Sequence, residues 1–292
     1  MIILPDGLQT ANELLKTFSI VPRSQWKGSC LRILLLNLMP EKQITEADIV
    51  RMLDSCNDDI EIIPMRIDGQ QYKTTSQAYV ETYYMAFESL RNGEYDGLIV
   101  TGAPIEHLPF EEVRYWKELC TIMDWAKSHV RSSLYICWGA QAALYHQWQI
   151  PKYDLSEKMF GVFPYECLQE VALLRRISSP FNMPTSRHTE VRSIDFPIHN
   201  ELQIVSESQE AGVGIAIAHK GREVYVTGHL EYAALRLNDE YQRDLSKGKA
   251  IKTPRYYYSE MGSPLFQWQD TALQIYQNWV KCYVCQSSNN LT

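Results

Sequence analysis

Residues 134–141, LYICWGAQ, predict a buried strand that turns into a helix at Cys137. The first three residues are apolar, as expected for a strand that is covered on both faces, and Gly139 permits a tight bend. A thiol at such a turn lies beside the partial positive charge of the helix N-terminus, which favours the thiolate. The segment therefore predicts a reactive cysteine at the junction of a strand and a helix.

Strands and helices alternate on the N-terminal side of this turn. The predicted strands cover residues 31–37, 60–65, 97–101 and 133–137, and the predicted helices cover residues 45–56 (with Thr45 as N-cap), 75–90 and 111–129. This succession indicates an α/β fold whose mostly parallel sheet carries helices on both faces. Ligands bind such sheets outside the carboxyl ends of the strands, which here are residues 37–40, 101–104 and 137–139.

We expect an antiparallel extension in the second half of the chain. Short apolar runs with turns between them predict strands at residues 171–177, 202–207, 213–219 and 223–227, followed by helices at about 231–247 and 269–285. No repeat, low-complexity tract or linker interrupts the sequence, so residues 1–292 are predicted to form one domain. Its N-terminal extension would end near residue 30, and its C-terminal tail would begin near residue 255.

Composition excludes several classes of partner. The 292 residues are 45% hydrophobic, which is ample for a core, and carry a net charge of −7, which argues against a nucleic-acid binder. No stretch approaches the ~20 apolar residues of a membrane span. Asp6 interrupts the apolar start of the chain, so we expect no secretory signal, no membrane partner and a cytoplasmic location.

Seven scattered cysteines fit a reducing compartment better than a disulfide framework. Cys282 and Cys285 form a CxxC, but no second ligand pair accompanies it. We therefore expect two half-buried helical thiols there, and neither a metal site nor a bound cofactor.

A second segment, residues 226–231 (VTGHLE), complements the cysteine turn. Residues i and i+2 of an extended chain point to the same side, so Glu231 can hold His229 while His229 faces the thiol of Cys137. Taken alone, Cys137 could be an ordinary core thiol, and the other two side chains could be structural. Together they form a nucleophile–base–orienter triad, which predicts an enzyme.

Four motifs resemble the homoserine O-acyltransferases of the MetA type. They are NLMPEK followed by TE (residues 37–46), DGLIVTGAP (96–104), CWGAQAAL (137–144) and SRHTEV (186–191). The resemblance runs from about residue 31 to 286. It implies a class I glutamine amidotransferase-like, flavodoxin-like fold, in agreement with the strand prediction.

The resemblance implies ping-pong acyl transfer. Cys137 would attack the thioester of acetyl-CoA, which enters as a co-substrate, and become an acyl-enzyme. His229 would act as the base for the thiol and later for the acceptor hydroxyl, and Glu231 would orient His229. Backbone N–H groups of the helix after Cys137 would form an oxyanion hole.

The resemblance also carries over residues of the substrate site. Arg243 corresponds to an arginine that binds the amino-acid carboxylate, Lys158 and Ser186 match other substrate contacts, and Lys42 would assist electrostatically. Glu106 would decide the acyl group, because glutamate accompanies acetyl-CoA in this family and glycine accompanies succinyl-CoA. A carboxylate fills the space that a succinyl chain needs and repels its terminal carboxylate.

Departures from the family pattern leave the acceptor open. Gly-His-Leu-Glu replaces the usual Gly-His-Pro-Glu, and the tail diverges at residues 260–263 and 268–271. L-Homoserine, for methionine synthesis, is the expected acceptor, and L-serine, for cysteine synthesis, is the alternative. One methylene discriminates them by only about 1–3 kcal/mol.

Two other classes compete with the transferase. A glutamine amidotransferase or cysteine hydrolase would use the same triad, although amidotransferases favour glycine where this chain has Tyr135. A non-enzymatic binding module would have no use for the triad. A homodimer is expected by analogy with the family alone.

Overall fold

One twisted sheet organises the part of the chain that the computed structural model describes, residues 1–14, 17–68, 70, 72, 74–198 and 201–285. It contains twelve strands. They are β1 (Ile2–Leu4), β2 (Ile20–Pro22), β3 (Leu31–Leu36), β4 (Ile60–Arg66), β5 (Met85–Ala86), β6 (Tyr95–Val100), β7 (Val130–Ile136), β8 (Tyr153–Cys167), β9 (Phe181–Glu190), β10 (Leu202–Ser208), β11 (Gly212–Ala218) and β12 (Glu223–Val226).

The sheet has a parallel part and an antiparallel part. Its order is β2-β1-β4-β3-β6-β7-β12-β11-β10-β8-β9, with β5 paired to β4. Every pairing from β2 to β12 is parallel, and every pairing from β12 to β9 is antiparallel. The predicted fold class, a mostly parallel sheet with an antiparallel extension, is confirmed.

Helices cover both faces of the sheet. They are α1 (Gln9–Leu14), α2 (Lys42–Asp54), α3 (Gln77–Tyr83), α4 (Phe87–Leu90), α5 (Trp116–His129), α6 (Trp138–Trp148), α7 (Arg236–Ser246) and α8 (Gln269–Trp279). Side chains alternate along β3, so Ile33 and Leu35 belong to one apolar cluster with α2 and α8, whereas Leu34 and Leu36 belong to another with α5 and α6. A strand buried on both faces therefore reads as one continuous apolar run.

Several predicted helix limits were wrong. Helix α2 begins at Lys42, so Thr45 lies inside it and is not the N-cap. The side chain of Thr75, distant in sequence, bonds both Lys42 N and Pro40 O at the start of this helix. The predicted helix 75–90 is broken because Met85–Ala86 joins the sheet beside β4, leaving α3 and α4 on either side. Residues 110–112 form a separate 3₁₀ turn, so α5 begins only at Trp116.

The second half departs further from the prediction. The expected strand at 171–177 is a 3₁₀ turn, Ala172–Leu174. The hairpin of β8 and β9 and the N-terminal strands β1 and β2 were missed; the exposed and charged positions of β8 hide its strand character. Helix α7 begins at Arg236 instead of residue 231, and α8 ends at Trp279, where a π-helical turn, Val280–Val284, follows.

Candidate active site

Cys137 lies on a strained turn between β7 and α6. Its φ is 51° and its ψ is −116°, a left-handed conformation that non-glycine residues rarely adopt. Its N–H donates to Val226 O at 2.7 Å, which ties the turn to β12. A Cβ at Gly139 would lie 2.7 Å from Thr101 O, so only glycine lets α6 approach β6 this closely. The predicted strand–turn–helix is confirmed.

His229 and Glu231 follow β12 and lie beside this turn. His229 Nδ1 is 2.7 Å from Glu231 Oε1, and both side chains are buried. The backbone N–H of His229 donates to Pro184 O at 2.8 Å, which fixes the segment against β9. Because Glu231 occupies Nδ1, Nε2 is the nitrogen left for a hydrogen bond with Cys137. The structure thus brings the three predicted triad residues together.

The electrostatics of the triad favour a charged histidine. Burial alone would lower the pKa of His229, but the Cys137 thiolate and the Glu231 carboxylate raise that pKa well above its usual value. A thiolate beside an imidazolium is the nucleophilic form of a Cys–His pair.

Two residues that sequence reasoning did not assign shape the surroundings of His229. The ring of Tyr232 stacks on the imidazole with centroids 4.1 Å apart and planes 18° apart. Gly102 lies against the nucleophile: a Cβ there would be 3.3 Å from Cys137 Cβ and 3.7 Å from both Sγ and His229 Cε1. Gly102 therefore leaves space beside the thiol. Its place at a strand end in TGAP was the available sequence signal.

A pocket of about 240 Å³ lies beside the triad, and His229 and Glu231 are among its lining residues. Five carboxylates and two guanidinium groups line it, a set that suits a small molecule carrying both a positive and a negative charge. The lining residues are Met39, Glu41, Ile44, Thr45, Asp48, Thr101, Gly102, His229, Glu231, Tyr232, Arg236, Asp239, Glu240 and Arg243.

Among the residues predicted to contact the acceptor, Arg243 lines this pocket, whereas Lys158 and Ser186 contact its wall through Glu240. Arg243 lines the pocket, and Glu240 stands one turn before it on α7. Ser186 Oγ donates to Glu240 Oε2 at 2.6 Å, and Lys158 Nζ donates to the same oxygen at 3.3 Å. Sequence reasoning missed Glu240; its i,i+3 spacing from Arg243 was the signal.

Glu240 is buried, yet it is held as a carboxylate. Burial alone would raise its pKa, but the Lys158 ammonium and the hydroxyls of Ser186 and Tyr232 bring the pKa below its usual value. Glu240 therefore keeps its negative charge on the wall of the pocket.

An ionic cluster supports the backbone behind the triad. Arg51 donates to the backbone carbonyl of Glu231 and lies 3.2 Å from Asp48 Oδ1, while Arg236 donates to Asp48 Oδ2 at 2.5 Å. Burial raises the pKa of Asp48, although both arginines oppose that rise. The cluster ties α2 and the start of α7 to the segment that carries Glu231.

Lys42 does not line the pocket among the described residues. Its ammonium is buried and donates to Asn37 O at 2.6 Å and to Met39 O at 3.3 Å, so it holds the strand end that carries Met39 into the pocket. Burial lowers the pKa of Lys42 to about 8, and Glu46 partly offsets this. Its contacts place Lys42 in support of the pocket wall.

Glu106 lies on the loop between β6 and α5 and is half-buried. Lys152 donates to its backbone carbonyl. Burial lowers the pKa of His188 on β9, and the Glu106 carboxylate partly opposes that change. Glu106 is not part of the pocket lining described above. Of the residues predicted for acyl selection and acceptor binding, only Arg243 lines the pocket itself.

Other predicted features can be compared with the described residues. Cys282 and Cys285 are both half-buried, as expected, and burial raises the pKa of Cys285 to about 12.

Within the described residues, no group of three or more His, Cys, Asp or Glu side chains is placed to hold a metal ion. In the same part of the chain, no helix has the length and apolar character needed to cross a membrane.

The sheet order and the strained cysteine define a class I glutamine amidotransferase-like fold. Two solved structures share it: a glutamine amidotransferase from Thermotoga maritima (TM-score 0.58, 13% identity, covering 89% of this chain and 100% of that one) and one from Methylobacillus flagellatus (TM-score 0.54, 11% identity, covering 91% and 99%). At such identities the likeness concerns the fold alone.

The family model described as homoserine O-succinyltransferase matches residues 2–290, and the chain belongs to this family of acyltransferases. A homoserine O-acetyltransferase from Bacteroides thetaiotaomicron is 45% identical over 294 residues, covering 98% of this chain and 96% of the relative. Another, from Brevibacillus brevis, is 44% identical over 262 residues, covering 88% and 86%. The MetA-type resemblance, and with it the prediction of an enzyme, is confirmed.

Proposed function

We propose that this protein transfers the acetyl group of acetyl-CoA to the side-chain hydroxyl of L-homoserine, a step of methionine biosynthesis. The observation that carries the proposal is the buried triad of Cys137, His229 and Glu231, of which His229 and Glu231 line a small charged pocket. The names of the relatives, homoserine O-acetyltransferases, support the same acceptor and donor.

In the first half-reaction, the Cys137 thiolate adds to the thioester carbonyl of acetyl-CoA. The resulting oxyanion accepts hydrogen bonds from the unpaired N–H groups of the first turn of α6. The carbon–sulfur bond to CoA then breaks, and protonated His229 supplies the proton to the leaving thiolate. Because one thioester replaces another, the exchange is nearly isoenergetic.

In the second half-reaction, neutral His229 removes the proton from the acceptor hydroxyl, whose oxygen attacks the acetyl-cysteine. The new ester leaves, and the cysteine thiolate and protonated histidine are restored. Arg243 on the pocket wall suits the acceptor carboxylate, and the surrounding carboxylates suit its ammonium group. A volume of about 240 Å³ fits a small amino acid better than a CoA nucleotide.

Glu106 supports acetyl-CoA as the donor. A half-buried carboxylate on the loop after β6 would repel the terminal carboxylate of a succinyl group and occupy the space that the longer chain needs. The matching family is described as homoserine O-succinyltransferase, whereas the relatives reported above are named homoserine O-acetyltransferases. We assign this chain to the acetyl group on the basis of Glu106.

The test measures thiol release from acetyl-CoA by the purified protein with homoserine, with serine and without acceptor, and repeats the series with succinyl-CoA. We expect release that depends on homoserine and acetyl-CoA. Cys137→Ala should abolish it, and the matched variant Cys120→Ala, on α5, should not. Preference for serine would reassign the acceptor, and sustained release without acceptor, beyond a single burst of CoA per enzyme, would indicate a hydrolase.

A further inference from the structure

Tyr232 connects the predicted base to the wall of the acceptor pocket. Its ring stacks on His229, and its hydroxyl donates to Glu240 Oε1 at 2.7 Å. The side chain is 5% exposed and lines the pocket. We propose that Tyr232 is a positioning residue with two separable roles: its ring aligns the base, and its hydroxyl fixes the acceptor side of the pocket. This proposal rests on the proposed function.

The local turn explains how the ring reaches the base. Tyr232 N donates to His229 O at 3.3 Å, which folds the chain back so that the two rings lie face to face. Hydrogen bonds to Glu231 and Cys137 prevent the imidazole from turning within its own plane. They still allow the ring to rotate about the axis through its two hydrogen-bonded nitrogens. A flat aromatic face opposes that tipping, so Nε2 stays aimed at the sulfur.

The hydroxyl acts on Glu240. Oε2 of this carboxylate accepts from Ser186 and Lys158, whereas Oε1 accepts from Tyr232. Loss of the tyrosine hydroxyl would leave Oε1 of a buried carboxylate without this donor, and the carboxylate would turn on the pocket wall. Because Glu240 belongs to the acceptor pocket, this change should affect the acceptor step more than the donor step.

The experiment compares Tyr232→Phe, which keeps the ring, with Tyr232→Leu, which removes it. The donor step is the burst of CoA released from acetyl-CoA without acceptor, and the acceptor step is the release of acetyl from the isolated acetyl-enzyme by homoserine. Tyr258→Phe, which loses a hydroxyl bonded to Asn238 on the outer side of α7, is the matched control.

We expect Tyr232→Phe to slow the acceptor step by about tenfold more than the donor step, the effect of one hydrogen bond to a charged group. Tyr232→Leu should slow both steps by about tenfold or more, as misalignment of a catalytic group does. Equal slowing of both steps by Tyr232→Phe would overturn the proposal that the ring and the hydroxyl have separate roles. This comparison tests the proposal even if Tyr232→Leu does not fold. A wild-type protein without a burst would instead refute the proposed transferase.

Discussion

Replacing Gly102 by alanine should impair catalysis while leaving the fold intact. The added methyl would lie 3.3 Å from Cys137 Cβ and 3.7 Å from its Sγ, in the space that a tetrahedral intermediate on the sulfur would occupy. Its distance of 3.7 Å from His229 Cε1 is an ordinary contact, so the ring need not move. The obstruction therefore falls on the reacting atoms.

The expected effect on stability is small. Mild crowding in a packed interior costs about 1–3 kcal/mol, and the reduced freedom of the unfolded chain offsets about 0.4–1 kcal/mol of it. Gly102 does not have a positive φ, so alanine adds no backbone strain. A displacement of the reacting groups by about 1 Å, in contrast, costs about 10²-fold in rate.

The assay combines urea unfolding with kcat/KM from CoA release. Gly97→Ala is the matched control, because a Cβ there, inside β6 and away from the thiol, would meet Trp279 at 3.1 Å and Ile33 at 3.2 Å. We expect similar losses of stability in both variants and loss of activity only in Gly102→Ala. Near wild-type activity in Gly102→Ala would refute the placement of the acyl group beside this glycine.

Four further predictions follow from the site. Glu231→Gln should lower kcat by about 10²- to 10⁴-fold in the CoA-release assay, with little change in the melting temperature, because the amide cannot stabilise the imidazolium. Glu106→Gly should raise the succinyl-CoA to acetyl-CoA ratio of kcat/KM by at least about tenfold, the effect of one removed steric and charge conflict. Alkylation of Cys137 by iodoacetamide at neutral pH should be slower in His229→Gln than in the unchanged protein, because the raised pKa of His229 keeps an imidazolium beside the sulfur. Folding lowers the pKa of Lys42 to about 8, so the unfolded chain binds more protons than the folded chain above that pH. The contribution of Lys42 to the free energy of unfolding should therefore rise from about pH 8 to 10. Urea titrations of Lys42→Met should lack that rise.

Local sequence patterns were sufficient for β3, β4, β6 and β7, the central strands of the parallel part of the sheet. Strands such as β3, with side chains buried on both faces, leave an uninterrupted apolar run in the sequence. The cysteine turn was predictable for a similar reason: its strand, its Gly139 and its helix are all adjacent in sequence. His229 and Glu231 were predictable as a pair because the period of an extended chain places them on one side.

Long-range contacts hid the rest. Glu240 obtains its role from Ser186 and Lys158, on the strands β9 and β8, and Tyr232 obtains its role from a turn that folds it back over His229. The start of α2 depends on Thr75, more than thirty residues away. No local period or spacing encodes such partners, so helix limits and pocket walls were the least predictable parts.

The division of the sheet suggests where the choice of reaction lies. The parallel half supplies the cysteine turn, and proteins of the same fold with 11–13% identity bear the name glutamine amidotransferase, so the fold alone does not fix the chemistry. The groups proposed to bind the acceptor, Lys158, Ser186, Glu240 and Arg243, come instead from β8, β9 and α7. Removing the acceptor-side charge with Arg243→Met should therefore raise the KM for homoserine while the donor step continues. A parallel loss of both steps would mean that the antiparallel half also shapes the nucleophile.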